Sequence, residues 1–149
     1  MLIRTHLAIA AFFIILFFNH VNSKIVFVVM VIAATFLPDI DCAASTLGQH
    51  KIFRFLQFFV KHRGMIHSFS MAFLISLILA IFWPVASLGF FLGYGIHLFG
   101  DSFTKEGIQP FWPYSKKSYG FITTGGRMEI TVFVIFIIVD LLSLIFSFI

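Results

Sequence analysis

Five apolar runs, residues 6–18, 24–37, 67–83, 85–100 and 129–149, fill most of a 149-residue chain and leave it few folds to adopt. Soluble domains carry roughly a quarter charged residues. Here 60% of residues are hydrophobic, 23 of them phenylalanine, and 11% are charged, too few to cover a water-facing surface. The expectation is an all-α, polytopic membrane helix bundle forming a single domain over residues 1–149.

The breaks between the runs predict how the helices pair. Asn19-His20-Val21-Asn22-Ser23 separates the first two runs and Pro38 ends the second, which makes a hairpin. Trp83-Pro84 joins the third and fourth into another hairpin, because proline interrupts helix propagation and tryptophan favours the membrane interface. A polar segment, 101–128, with Gly107, Pro110, Pro113, Gly120, Gly125 and Gly126, leads to a last span at 129–149. The first two runs fall short of the ~20 residues that cross a bilayer core, so they thin the bilayer or draw on flanking residues. Between the hairpins, KIFRFLQFFVK places Lys51, Arg54, Gln57 and Lys61 at helical spacing among phenylalanines, as in a helix lying in the headgroup layer.

Charge placement predicts orientation. Arg4, Lys51, Arg54, Lys61, Arg63, Lys105, Lys116, Lys117 and Arg127 all fall on one side of a five-span arrangement and Lys24 alone on the other. By the positive-inside rule the N-terminus is cytoplasmic and the C-terminus outside. The net charge of +4 is then a topology signal that needs no nucleic-acid partner. A rival reading takes Arg4, the run 7–18 and Ser23 as a cleaved secretory signal, which would remove His6. The single cysteine, Cys42, excludes an intramolecular disulfide framework.

Polar residues in such a chain must be paired, wet or functional. His6 opens the first span; Asp39 and Asp41 follow the second; His62 and His67 precede the third; His97 and Asp101 close the fourth. The topology brings all seven to the cytoplasmic face. His97 and Asp101 are four apart and share a helix face. Asp39 and Asp41 flank one residue after a proline, where an extended backbone would let both reach one ion. Taken singly, each has an ordinary reading: an interface histidine hydrogen-bonds, Asp39 caps a turn, and Lys61 and Arg63 are topology charges. Together, imidazoles and carboxylates suit a divalent ion such as Zn, Mn or Fe. His20 and His50 read as surface histidines.

The segments "LPDID", "HRGMIHS" and "GYGIHLFGDSFTKEGIQPFWP", with His6, resemble the motifs of the YdjM-type inner-membrane proteins, a family regarded as metal-dependent hydrolases. The likeness runs from His6 to about Pro113. It implies a small multi-span inner-membrane protein with a metal site built from these histidines and aspartates. Two positions depart from the pattern: Cys42 where histidine usually follows PDID, and Ile66 where threonine usually precedes His67.

The chemistry expected is ester hydrolysis, with an ion activating water. Arg63 would clamp an anionic oxygen through its planar fork, and Thr104 and Lys105 would add donors. Lys105 has an ordinary reading too, as a snorkelling lysine. A site at headgroup level favours a membrane lipid or another amphiphilic substrate. Two other classes compete: a metal or proton transporter, suggested by Asp140 in the last span, and a non-enzymatic scaffold with a structural metal.

Overall fold

The computed structural model describes residues 1–43, 45–59 and 63–147, apart from the side chains of Leu56, Phe59 and Ser147. Lys61 and His62, the latter an expected ligand, lie outside the described residues. Helices α1 (Ile3–Phe17) and α2 (Lys24–Phe36) form the first hairpin. A short helix α3 (Arg54–Phe59) precedes the second hairpin, α4 (Phe69–Phe82) and α5 (Pro84–Ser102), and α6 (Arg127–Ser147) follows. The breaks fall where the sequence places them. Pro84 opens α5 at a position where its missing N–H has no helical partner to lose.

Among the described residues the fold is all-helical, with only isolated bridges, Thr104 with Ile122 and Ile108 with Ser118, in the 103–126 segment. Two helices, Ile3–His20 and Arg127–Phe146, are long and apolar enough to cross a membrane by length and composition, and Phe69–Phe82 is a shorter apolar helix. Large apolar side chains such as Phe73, Ile81, Ile138, Leu141 and Ile145 face outward. This distribution would be a liability in water and is the expected one in lipid.

Helix α2 packs against α5, α1 against α6 and α4 against α5. The α2–α5 contact is close because α5 offers glycine there. A Cβ at Gly93 would stand 2.1 Å from the Val31 carbonyl oxygen, and one at Gly89 2.8 Å from that of Phe27. Glycines four apart let two backbones approach without side chains between them. Ala34, Phe90, Tyr94 and Leu98 complete the core next to this contact.

Two details differ from the sequence expectation, and a third concerns the start of α1. The Leu37–Asp41 stretch is a 3-10 turn rather than extended chain, since Pro38 sits at its start, where no N–H is needed. Gln57 turns inward from α3 and donates to the carbonyls of Ile40 and Gly48 at 2.9 and 2.8 Å, while Phe55 and Phe58 are exposed. Loop carbonyls near the protein need donors, and the amide supplies two. Helix α1 has no capping side chain of its own. Glu129 of α6 fills that role, accepting from Leu2 N at 2.5 Å, Thr5 Oγ1 at 2.9 Å and Gly125 N at 2.6 Å.

Candidate metal centre

The site forms where the 3-10 turn after α2, the approach to α4, the end of α5 and the start of α1 converge. His97 and Asp101 project from one face of α5, one turn apart, and both are fully or almost fully buried. Asp39 reaches in from the turn and keeps 19% of its side chain exposed, giving the cluster a water-facing edge. His67 arrives just before Ser68, whose hydroxyl caps α4 by accepting from Met71 N. His6 comes from the first turn of α1, which Glu129 fixes from α6. Its ring stacks on His97 with centroids 4.0 Å apart, over Gly100, where a Cβ would press within 2.9 Å of His6 Cε1.

Two imidazole nitrogens lie close to the same two carboxylate oxygens. His97 Nε2 lies 3.5 Å from Asp39 Oδ1 and 3.9 Å from Asp101 Oδ2. His67 Nε2 lies 3.8 Å from each of the same two oxygens. Ligands held ~2.0–2.2 Å from one tetrahedral ion are ~3.3–3.6 Å apart, and Asp39, His67 and His97 form a group of three whose donor atoms lie within 4.8 Å of one another. His6 Nε2, 3.2 Å from Asp101 Oδ1, begins a second group made of His6, His97 and Asp101.

The partners behind each imidazole favour the same reading. His97 Nδ1 is 2.8 Å from the carbonyl oxygen of Thr35, which only accepts, so Nδ1 carries the proton and Nε2 presents its lone pair to the two carboxylates. That buried Nε2 has no hydrogen-bond partner among the described residues. A lone pair presented to carboxylate oxygens at 3.5 and 3.9 Å is a donor set that fits a divalent ion. His67 Nδ1 is 3.1 Å from Asp41 Oδ2, the carboxylate-behind-histidine arrangement that orients metal-binding imidazoles.

Electrostatics outside the spans agrees. Burial would raise the Asp39 carboxyl, yet the neighbouring imidazoles of His67 and His97 outweigh it and hold the group below its usual range. Burial would likewise lower His67, but Asp39, Asp41 and Asp101 push it up to about 9. The three carboxylates thus draw positive charge to their centre.

A family model described as YdjM inner membrane protein matches residues 1–148. The chain belongs to the YdjM inner membrane protein family. No curated protein and no solved structure matches it. The YdjM match reaches from the N-terminal residues through α6, beyond the segment that carries the motifs, and membership makes this an inner-membrane protein.

In this YdjM-family chain the expected site residues separate by position. His6, Asp39, His67, His97 and Asp101 come together in the two overlapping groups, which share His97. Asp41 sits behind His67 instead, because two residues along a tight turn cannot point the same way. Arg63 is buried, with a positive φ of 60°, and both of its terminal nitrogens are engaged. Its Nη1 donates to Thr104 Oγ1 at 2.9 Å and Gly107 O at 3.1 Å; its Nη2 lies 3.2 Å from Asp101 Oδ2 and 3.1 Å from Glu106 Oε2. Thr104 also donates to the Asp101 carbonyl at 2.7 Å, so it braces both Arg63 and the end of α5. Lys105 is exposed, and no side-chain contact joins it to the cluster among the described residues.

Sequence reading missed several contributors. Thr35 acts through its backbone, which no side-chain pattern reveals. Glu129 looks like a lone acid at the head of a span, and Glu106 becomes visible only through its contact with Arg63. The amino group of Met1 contacts Asp101 as well.

Proposed function

We propose that this protein is a metal-dependent hydrolase at the cytoplasmic membrane face, cleaving an amphiphilic phosphoester or related ester. The carrying observation is the buried His97 Nε2, aimed with His67 Nε2 at oxygens of Asp39 and Asp101. A bound divalent ion would supply Lewis acidity for activating water and polarising the ester. Asp39, His67 and His97 would hold it, with His6, His97 and Asp101 forming a second position. Asp41 and the Thr35 carbonyl keep the two imidazoles in the ligating tautomer. Arg63 offers its fork to an anionic oxygen by exchanging the largely exposed Glu106 for substrate while keeping Asp101. The test is zinc and manganese analysis of purified protein together with headgroup release from phospholipid vesicles. Stoichiometric metal with chelator-sensitive release is expected, and metal-free protein that releases headgroup would overturn the reading.

The proposal includes a single five-span domain, N-terminus in and C-terminus out, because nine basic residues then lie inside against one outside. Reporter fusions at the two termini should place them on opposite sides. A cytoplasmic C-terminus would break the shared-face argument.

The transport alternative draws on Asp140, a buried acid of α6. It lies 11 residues beyond Glu129, ~16 Å along the helix at 1.5 Å per residue, which separates it from the metal cluster. Asp140→Asn should therefore leave metal content unchanged. Proton or metal flux lost in that variant, with no hydrolysis in the parent, would favour transport.

Asp41→Asn tests the support behind His67. Asparagine keeps the shape and can still accept from Nδ1, but it gives up the charge that strengthens the imidazole donor. Zinc affinity should fall about tenfold, the low end for such outer partners. A chelator-competition titration reads it directly, and parental affinity would mean that Asp41 only fills space.

A further inference from the structure

Beside the polar cluster lies a cavity of about 610 Å³ between α1, α5 and α6. Its volume falls within the ~300–1,000 Å³ typical of small-molecule sites. The lining is apolar throughout, including Ile9 and Phe12 from α1, Ile96 and Phe99 from α5, and Phe136 from α6. Along α5 it extends from Phe91 to Gly100, ~14 Å at the helical rise, and Phe91 and Phe103 in its lining are exposed.

One end of this cavity abuts the site. Gly100 lines it and packs against the buried His6 ring, so that a Cβ there would lie 3.0 Å from His6 Nδ1. That nitrogen is fully buried and has no hydrogen-bond partner among the described residues. Met1, which contacts Asp101, and Phe69, two residues after His67, line the same space. An apolar cavity whose wall at Met1 and Gly100 borders Asp101 and His6 suits the aliphatic part of a molecule whose polar head lies at that pair. In a membrane protein the bilayer is the source of such molecules.

We infer that the α1–α5–α6 cavity receives one aliphatic chain of a bilayer lipid and so presents that lipid's headgroup at the His6–Asp101 end of the metal centre. The inference rests on the hydrolase reading and names its substrate class. The chain gains little energy on leaving other lipid tails for an apolar cavity, so the cavity contributes position more than affinity. It holds the ester linkage at the level of His6, while the partly exposed Asp39 keeps the accessible edge of the cluster.

Gly95 supplies the test. It lines the cavity, and a Cβ built there meets nothing within 4 Å, so a larger side chain enters the space without striking backbone. The zinc-loaded parent, Gly95→Ala and Gly95→Phe would be reconstituted in phosphatidylethanolamine–phosphatidylglycerol vesicles. These would be doped with phosphatidic acid bearing a diazirine in its acyl chain, and crosslinks would be mapped by mass spectrometry. Ile9 and Ile96, both nearly buried, should be labelled well above Ile138, Leu141 and Ile145 on the outer face of α6. Gly95→Phe should cut the Ile9 and Ile96 labelling by about tenfold, a ~1.4 kcal/mol exclusion within the range of overpacking, and Gly95→Ala should retain it. Labelling no stronger than on the α6 face, unchanged labelling in Gly95→Phe, or crosslinks to a second protein copy through these residues would each overturn the inference. Chelated protein separates the two readings. Cavity labelling with no hydrolysis under any metal would remove the hydrolase and leave the cavity assignment, whereas hydrolysis without cavity labelling would do the reverse.

Discussion

His97→Ala should empty the metal centre. His97 belongs to both overlapping groups, so its loss leaves each with two of its three donors. Loss of a mere outer partner lowers metal affinity ~10–100-fold, and loss of a shared donor should exceed that range. Zinc retained through purification should fall to background, and headgroup release should fall with it. His97 also stacks on His6 at 4.0 Å and donates from Nδ1 to the Thr35 carbonyl, so a folding defect has to be separated from a binding one. Thermal unfolding of the metal-free proteins in one detergent does this, because neither carries a bound ion to stabilise it. Similar melting of metal-free parent and variant, with zinc binding lost only in the variant, is the expected pair of results. Full zinc occupancy in His97→Ala would dismantle the proposed centre, since among the described residues no other belongs to both groups.

The sequence reading and the structure agree most where chain chemistry is local. Proline at positions 38 and 84, tryptophan at 83 and the polar 19–23 turn end helices through their own backbone constraints, so the helix boundaries were readable without tertiary information. His97 and Asp101 were readable as a pair because four residues make one helical turn. Agreement fails where one element's partner decides the outcome. The different aims of Asp39 and Asp41 depend on how the 3-10 turn meets His67, and the inward turn of Gln57 depends on two unsatisfied carbonyls across a loop. The capping of α1 by Glu129 joins residues 124 and 127 positions apart. Composition cannot show the cavity beside the site either, because nearly every residue along these helices is apolar and periodicity does not say which faces touch.

Gly93→Ala should show that the centre is held by the approach of two helices as much as by its ligands. The added Cβ would stand 2.1 Å from the Val31 carbonyl oxygen and 2.9 Å from the Val31 carbonyl carbon and Cα. Those are backbone atoms, so no side-chain rotation relieves the contact and α2 must move away from α5. Overpacking of this kind costs ~1–3 kcal/mol, and a backbone clash belongs at the upper end, about 3 kcal/mol. The displacement also reaches the site. Thr35, one turn beyond Val31, donates to the Gly93 carbonyl at 3.3 Å and offers its own carbonyl to His97, and the same helix leads into Asp39. Zinc affinity should therefore fall together with stability although no ligand has been changed. Gly95→Ala, two residues along the same helix, is the control: its Cβ meets nothing within 4 Å, and replacing a helical glycine by alanine adds up to ~1 kcal/mol of stability. Thermal melting and chelator-competition titration of both variants beside the parent give the comparison. If Gly93→Ala melted with Gly95→Ala and bound zinc as tightly, close packing of α2 on α5 would have no part in aiming Asp39 and His97 at a common ion.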